Sequence, residues 1–164
     1  MTDTKFTLNE IDIIYKPMRD MDKRPKITCS GDAYAVFREN WDDMKIGIVE
    51  QFKVMLLSRA NKVLGVYTHS TGGQSGTVVD RKLIFATALK SGACSVIFAH
   101  NHPSGNLQPS EQDKNLQCKL EECGKILDIS VLDHIILSGT DGGYYSFADG
   151  TAHEERAVVS QLTL

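Results

Sequence analysis

Apolar residues recur along the chain in two spacings, and each spacing predicts a different kind of element. Continuous or alternating runs of β-forming residues predict strands, whereas apolar residues three or four positions apart predict amphipathic helices. Strands are predicted at 49–57, 62–69, 78–79, 95–99, 129–137 and 144–147. Helices are predicted at 32–41, 80–91 and 110–127. Because strands and helices alternate, the pattern predicts an α/β fold with a mixed sheet.

Polar residues and glycines mark where the predicted elements begin and end. Ser30 and Asp80 are the predicted N-caps of the first two helices, and Gly92 is the predicted end of the second. The turn at 58–61 predicts a hairpin, and the glycine-rich stretch 70–76 predicts a flexible loop at the rim of a cleft. The buried side of the second helix is expected to carry Leu83, Ile84, Ala86, Thr87 and Leu89. That of the third is expected to carry Leu116, Leu120, Cys123 and Leu127.

The composition is typical of one globular domain. The net charge, the length of the apolar runs and the cysteine spacing each argue against another class of protein or partner. Residues 30–150 are the predicted domain, 1–29 an N-terminal arm and 151–164 a C-terminal tail. The net charge of -3 makes nucleic acid an unexpected partner. No apolar run is long enough to cross a bilayer, so we expect no membrane association. The four cysteines show no CxxC spacing and are expected to be reduced thiols, which favours a cytoplasmic location.

Two histidines stand two positions apart at the end of the strand predicted at 95–99. Because side chains of a strand alternate between its faces, His100 and His102 project from the same face and can present ring nitrogens to one point. Zinc in hydrolytic sites takes three protein ligands from histidine, aspartate and glutamate and leaves a fourth position open. The histidine pair therefore predicts two of the three ligands of a zinc site.

The third predicted ligand is a carboxylate on the helix that follows. Asp113 shares the apolar face of Leu116 and Leu120, where an isolated carboxylate is costly to bury. Coordination of a cation compensates that cost. We therefore expect Asp113 to complete the metal site.

A second acidic residue occupies an inward position at the start of the first strand. Glu50 has the parity of Phe52 and Val54, which predicts that it points into the core. A carboxylate close to a metal, but not bound to it, can act as general base toward a water that the metal acidifies. Burial is expected to raise the pKa of Glu50. The alternatives are that Glu50 is an edge-strand acid of the opposite parity, or that Asp42 or Asp43 serves as the base.

The pattern resembles the JAMM motif of JAB/MPN metalloproteases, which it matches at Glu50, His100, His102, Ser110 and Asp113. Two strings are similar to the RadC-like branch of that family: His-Asn-His-Pro-Ser-Gly at 100–105 and Leu-Asp-His-Ile-Ile at 132–136. The resemblance covers roughly residues 30 to 150.

The resemblance implies both a fold and a chemistry. The implied fold is the JAB/MPN-like one, related to cytidine deaminases, with a curved mixed sheet flanked by helices. The resemblance also implies zinc bound by both histidines and Asp113. It implies that Glu50 acts as acid and base and that Ser110 donates a hydrogen bond to the oxyanion of the tetrahedral intermediate. The implied activity is hydrolysis of a peptide or isopeptide bond in a peptide or protein substrate.

Other interpretations of the same residues stay open. The histidines could simply end a strand while Ser110 caps a helix with Asp113 at its third position, without any metal. Instead of a hydrolase, the chain could be a DNA-repair-associated or accessory binding module with a structural or vestigial metal site. Full-length RadC-like proteins carry a helix-hairpin-helix-like region ahead of the JAB domain, which residues 1–29 do not resemble. The contiguous His-Asn-His letters do not fit an HNH nuclease, whose three residues are spread over a ββα unit.

The remaining histidines are expected to have lesser roles. His134 has the opposite parity to Asp133 and is expected to be structural, with a role behind a metal ligand as the alternative. His69 and His153 are expected to face solvent.

Overall fold

The structure is a computed structural model that describes residues 23–74, 76–140 and 142–154. Its helices are α1 Ser30–Glu39, α2 Asp43–Ile46, α3 Arg81–Ser91 and α4 Glu111–Ile126. Its strands are β1 Gln51–Leu57, β2 Val63–Thr71, β3 Ser95–His102, β4 Ser130–Ser138, β5 Tyr144–Ser146 and β6 Thr151–His153. The alternation confirms the predicted α/β class. None of the helices in these residues is long and apolar enough to span a membrane.

The strands of the described chain form one sheet in the order β2-β1-β3-β4-β5-β6. β3 and β4 are parallel, and every other neighbouring pair is antiparallel. Parallel neighbours need a crossover connection, which α4 provides between β3 and β4. The sheet is therefore mixed, as predicted.

Apolar side chains cover both faces of the sheet, so that the central strands are buried on both sides. On one face, α1 packs on the sheet in a cluster that contains Ala33, Tyr34, Phe37, Met55, Leu57, Ile97, Ala99, Ile135 and Leu137. On the other face, α3 and α4 pack on the sheet in a second cluster, which contains Phe52, Val54, Leu56, Ile84, Phe85, Ala88, Val96, Phe98 and Leu120. Alternate residues of β1 and β3 enter different clusters, as the strand period requires. The α3 and α4 face is the one that also carries His100 and His102.

The start of α1 differs from the prediction. The helix begins at Ser30 with Cys29 as its N-cap residue, so the prediction of Ser30 as the cap of a helix at 32–41 is wrong. The carboxylate of Asp32 accepts hydrogen bonds from the backbone N–H groups of Thr28 and Cys29. The stronger start signal is therefore this acidic residue in the first turn.

The buried side of α3 is rotated from the predicted one. Ile84, Phe85 and Ala88 are buried, whereas Leu83 and Leu89 are each 55% exposed. Ala86 is also exposed and Thr87 is half-buried. Apolar residues occur all around this helix, so that their spacing alone does not determine its rotation. The predicted cap is confirmed, because Asp80 accepts hydrogen bonds from the N–H groups of Lys82 and Leu83.

Two further details of the apolar pattern are wrong. Residues 78–79 form no strand, because they pair with no neighbour and Val78 is 84% exposed. Leu127 follows the end of α4 as its C-cap and is 38% exposed. The rest of the predicted α4 face is confirmed, with Leu120 buried and Leu116 and Cys123 half-buried.

Short segments outside the predicted elements also join the domain. α2 and β6 were not predicted, since four and three residues are too few to show a period. In the predicted arm, Lys26 pairs with Lys62, and Ile27 is buried in the core. The division into arm, domain and tail stays a prediction, and residues 1–22 and 155–164 lie outside the described chain.

Asp133 offers a test of how β4 is held to the turn after β5. Its buried carboxylate accepts hydrogen bonds from the N–H groups of His134 and Ala148 and from Ser146 Oγ, at 2.7, 2.9 and 2.7 Å. We expect Asp133→Ala to lower the free energy of unfolding by about 2–4 kcal/mol, because these donors lose their acceptor. Denaturant unfolding measures this loss. The exposed helical substitution Glu122→Ala is the control and should change stability by less than about 0.5 kcal/mol.

Candidate metal centre

The C-terminal end of the central strand β3 carries two histidines. The strand continues past the predicted end at 99 through His102, and its last three residues are His100, Asn101 and His102. Both histidines lie on the α3 and α4 face, where His100 is buried and His102 is half-buried. The prediction that they share a face is confirmed.

The first turn of α4 places a carboxylate beside both rings. His100 Nε2 lies 3.0 Å from His102 Nε2. Asp113 Oδ1 lies 3.3 Å from His100 Nε2, and Asp113 Oδ2 lies 3.6 Å from His102 Nε2. Among the described residues, these three form the one group whose ligand atoms are close enough to hold a metal ion.

The spacing of these atoms can be compared with what zinc requires. Tetrahedral zinc holds nitrogen and oxygen ligands at about 2.0–2.2 Å, so that neighbouring ligand atoms lie about 3.3–3.6 Å apart. The two Nε2 atoms lie 3.0 Å apart, and each lies within 3.6 Å of one oxygen of the Asp113 carboxylate, so the three side chains converge on one point at about this spacing. Two imidazoles and one carboxylate are also a donor set that zinc prefers. The residues present therefore fit a zinc ion.

The charges of the three side chains are coupled. Burial alone would raise the pKa of Asp113, but hydrogen bonds from His100, His102 and Ser110 hold it well below its usual range. Burial alone would lower the pKa of His102, but hydrogen bonds to Asp113 and to the Asn106 carbonyl raise it. The ionised Asp113 thus attracts positive charge to this point, which a proton on histidine or a metal cation can supply.

A tight turn after β3 orients the ring of His102. His102 Nδ1 lies 2.5 Å from the carbonyl oxygen of Asn106. Because a carbonyl can only accept, Nδ1 donates and Nε2 faces the metal centre. The turn passes through Gly105 at φ +79, where an added Cβ would lie 2.2 Å from Thr140 Oγ1. Glycine is required there by both conformation and space.

Ser110 and Asp113 also form a capping box at the start of α4. Ser110 Oγ accepts a hydrogen bond from Asp113 N at 3.2 Å, and Asp113 Oδ2 accepts one from Ser110 N at 2.7 Å. Ser110 Oγ lies 2.6 Å from the same carboxylate oxygen. The helix-capping alternative is thus present together with the metal-ligand geometry rather than instead of it. The role of Ser110 toward an oxyanion stays a prediction.

Glu50 lies beside the C-terminal end of β3, because it immediately precedes β1 and β1 is antiparallel to β3. Phe52 pairs with His100, and the register continued by two residues brings Glu50 opposite His102. The Glu50 side chain is half-buried and lines the cleft around the histidines. Burial raises its pKa, and the charge of Asp113 adds to this, while His100 and His102 oppose it. Glu50 therefore stands beside the three-residue group without belonging to it.

Asn101 is the residue of this site that the sequence analysis missed. It lies between the two histidines but points to the other face of β3, where it is wholly buried. Its Oδ1 accepts a hydrogen bond from Gln51 N at 2.8 Å, and its Nδ2 donates to the carbonyls of Ile46 and Val49 at 2.6 and 2.9 Å. The side chain therefore fixes the segment that carries Glu50. The sequence feature that could have revealed this role is a carboxamide side chain inside an otherwise apolar, buried strand.

His69 and His153 do not simply face solvent, so that prediction is wrong for both. His69 is half-buried, and its Nε2 accepts a hydrogen bond from Asp80 N at 3.0 Å. His153 stacks on Tyr144 with ring centroids 4.7 Å apart. Both rings therefore have structural contacts that single residues in the sequence do not reveal.

The candidate metal centre opens into a cleft of about 440 Å³. One rim includes Gln74, Gly76 and Thr77, which is the side predicted from the glycine-rich stretch. The opposite rim is formed by residues between His102 and Ser110. Four carboxamides line the cleft, those of Gln74, Asn106, Gln108 and Gln112, and none of its described lining residues is lysine or arginine.

Comparison with known proteins agrees with this geometry. The profile of the RadC-like JAB domain matches residues 27–153, which include every residue of the candidate site. The chain belongs to the RadC-like JAB domain family. This confirms the resemblance and agrees with the JAB/MPN-like mixed sheet of the structure.

Relatives of this RadC-like JAB domain occur in several bacteria. A UPF0758 protein of Flavobacterium johnsoniae is 42% identical over 130 residues, which are 79% of this chain and 55% of the relative. UPF0758 proteins of Salinibacter ruber and Porphyromonas gingivalis are 40% and 38% identical, over 74% and 81% of this chain and 51% and 57% of the relatives. The chain thus spans about half the length of these curated relatives.

The capping box makes Ser110 a test of how α4 is held. We expect Ser110→Ala to lower the free energy of unfolding by about 0.5–2 kcal/mol, because the first turn loses its cap. Ser110→Thr keeps a capping hydroxyl and should retain most of the stability. Denaturant unfolding of the two metal-free variants gives the comparison. Equal stability of the alanine and threonine variants would contradict the capping role.

Asn101 can be tested through the backbone that it holds. In Asn101→Leu, the Gln51 amide loses its acceptor and the segment 46–51 loses two further hydrogen bonds. We expect faster hydrogen exchange at Gln51, while the Val54 amide inside β1 keeps its protection. Exchange measured by NMR on the metal-free protein gives both rates. An unchanged rate at Gln51 would show that Asn101 does not hold this segment.

Proposed function

We propose that this RadC-like JAB domain is a zinc-dependent hydrolase of amide bonds, with a peptide or isopeptide as substrate. One observation carries the proposal: the half-buried side chain of Glu50 lines the same cleft as the three candidate metal ligands but is not one of them. A purely structural zinc site is closed by protein ligands and needs no acid beside it. Three ligands with a neighbouring carboxylate are what hydrolysis requires.

His100, His102 and Asp113 would hold the metal. When bound, zinc would polarise the carbonyl of the substrate and acidify a water molecule. The ionised state of Asp113 and the Nδ1 proton of His102 favour the protonation states needed for ligation. Both ligand elements are regular, a strand and a helix, which keeps the three donors in fixed positions.

Glu50 is the proposed general base and acid. It takes a proton from the attacking water as the new C–O bond forms, and then delivers a proton to the nitrogen that leaves as the C–N bond breaks. The pKa of Glu50 is raised by its burial, which makes it a stronger base than an exposed glutamate. Ser110, which lines the same cleft, is the proposed donor to the oxyanion, a role in which its single hydroxyl proton turns from Asp113 Oδ2 to the substrate. Such donors contribute about 2.7–4 kcal/mol to lowering the barrier.

The cleft favours an uncharged main chain over a polyanion as substrate. Its carboxamides can both donate to and accept from peptide groups. A phosphodiester would meet the carboxylates of Glu50 and Asp113 without a lysine or arginine among the described lining residues. We therefore propose a peptide or protein partner rather than nucleic acid. The four cysteines, none of them in a disulfide, support the proposal of a cytoplasmic location.

Metal content and turnover test the proposal together. We expect one zinc per purified chain, loss of that zinc in His102→Ala, and retention in His153→Ala, whose histidine lies outside the centre. In Glu50→Gln we expect full zinc occupancy with cleavage reduced at least about 100-fold, since only the proton carrier is removed. Elemental analysis and a screen of peptide and isopeptide-linked libraries supply the measurements.

Three results would overturn the proposal, and the third would favour another function. One is the lack of stoichiometric zinc in the unaltered protein after loading. Another is equal cleavage by the unaltered protein and Glu50→Gln. Salt-dependent duplex binding that persists in Glu50→Gln and Asp113→Ala, with no peptide cleaved, would indicate an accessory module that binds nucleic acid.

A further inference from the structure

A third histidine lies behind the metal centre. His134 on β4 and His100 on the neighbouring β3 are both buried, and His134 Nε2 lies 2.8 Å from His100 Nδ1. The other nitrogen of the His100 ring, Nε2, faces Asp113 and His102. The ring of His100 therefore lies between His134 and the atoms that would hold a metal.

Aromatic rings enclose His134 and fix its orientation. Phe147 stacks on it with centroids 5.1 Å apart and planes inclined by 15°. Phe52 and Phe98 make edge contacts at centroid distances of 5.6 and 6.2 Å. This apolar enclosure keeps bulk solvent from the contact with His100, and a hydrogen bond is stronger in such surroundings.

Packing alone does not explain a histidine at this position. Among the described residues, Nδ1 of His134 is buried without any hydrogen-bond partner. A leucine or phenylalanine would fill the same apolar enclosure and leave no polar atom unpaired. The contact that only a histidine makes here is the one to His100 Nδ1.

The chemistry of imidazole determines the direction of that contact. His134 is wholly buried among apolar rings, and its Nδ1 has no partner that could offset a positive charge, so its ring is neutral. A neutral imidazole has one N–H and one bare nitrogen. His100 can bind a cation through Nε2 only if its single proton is on Nδ1. His134 Nε2 must then be the acceptor.

We propose that His134 is a positioning residue, which accepts a hydrogen bond from Nδ1 of His100 and thereby fixes the ring and tautomer that leave Nε2 free for the metal. The inference rests on the zinc site of the proposed function but not on hydrolysis. The Asn106 carbonyl accepts a hydrogen bond from Nδ1 of His102 and fixes that ring in the same way. Both histidine ligands are then oriented by an uncharged acceptor, so that Asp113 and Glu50 supply the negative charge of the centre.

Zinc affinity tests the proposal without any substrate. His134→Leu removes the acceptor, and we expect it to weaken zinc binding by about 10–100-fold, as loss of an outer partner of a ligand histidine generally does. His134→Gln offers an amide oxygen as replacement acceptor and should recover most of that affinity. Competition with a chromophoric chelator measures the dissociation constants.

A matched variant separates positioning from packing. Phe147→Leu removes the ring stacked on His134 but keeps the acceptor. We expect it to lower the stability of the metal-free protein as much as His134→Leu or more, yet to leave zinc affinity unchanged. Affinity that follows stability across these variants would overturn the proposal.

NMR of the unaltered protein supplies a readout that folding defects do not affect. In the zinc-loaded protein, ¹⁵N shifts of the rings should show His134 protonated on Nδ1 and His100 on Nδ1. A scalar coupling should connect His100 Nδ1 with His134 Nε2. A proton on Nε2 of His134, or equal zinc affinity of the unaltered protein and His134→Leu, would overturn the inference alone. Absence of zinc binding by the unaltered protein would overturn the proposed function as well.

Discussion

The antiparallel pairing of β1 with β3 is the contact on which the candidate site depends. It brings the start of one strand to the end of the other, so that Glu50 lies opposite His102 although 52 positions separate them in the chain. Asn101 strengthens this pairing at its last step by binding the backbone on both sides of Glu50. One face of β3 thus carries the candidate metal ligands, and its opposite face carries Asn101, which keeps the two strands in register. A slip of one residue would exchange those faces and remove both.

The start of α4 shows how one set of side chains meets two requirements. A helix leaves its first N–H groups unpaired, and Ser110 and Asp113 satisfy them through the capping box. The capping geometry also turns the Asp113 carboxylate toward the two histidines. The local folding of α4 and the assembly of the metal centre therefore rely on the same hydrogen bonds.

The sequence predicts those parts of the structure that depend on a repeating pattern. The strand period placed His100 and His102 on one face, and the spacing in α4 placed Asp113 toward them. Glu50 followed from its parity with Phe52. The pattern could not give the rotation of α3, because apolar residues occur all around that helix. Nor could it give α2 and β6, which are too short for a spacing to recur. The contacts of Asn101 escaped it, and for His134 the pattern left a role behind a metal ligand only as an alternative. Both depend on which residue of a distant segment lies opposite.

The two rims of the cleft belong to loops, whereas the metal ligands belong to β3 and α4 and Glu50 is held by β1. In the described part of the chain, no hydrogen bond joins the side chain of Gln74, Thr77 or Gln108 to a ligand histidine or to Asp113. The proposed catalytic residues and the surface that would select a substrate can thus change independently during evolution. Related chains could then keep the proposed reaction while they act on quite different substrates.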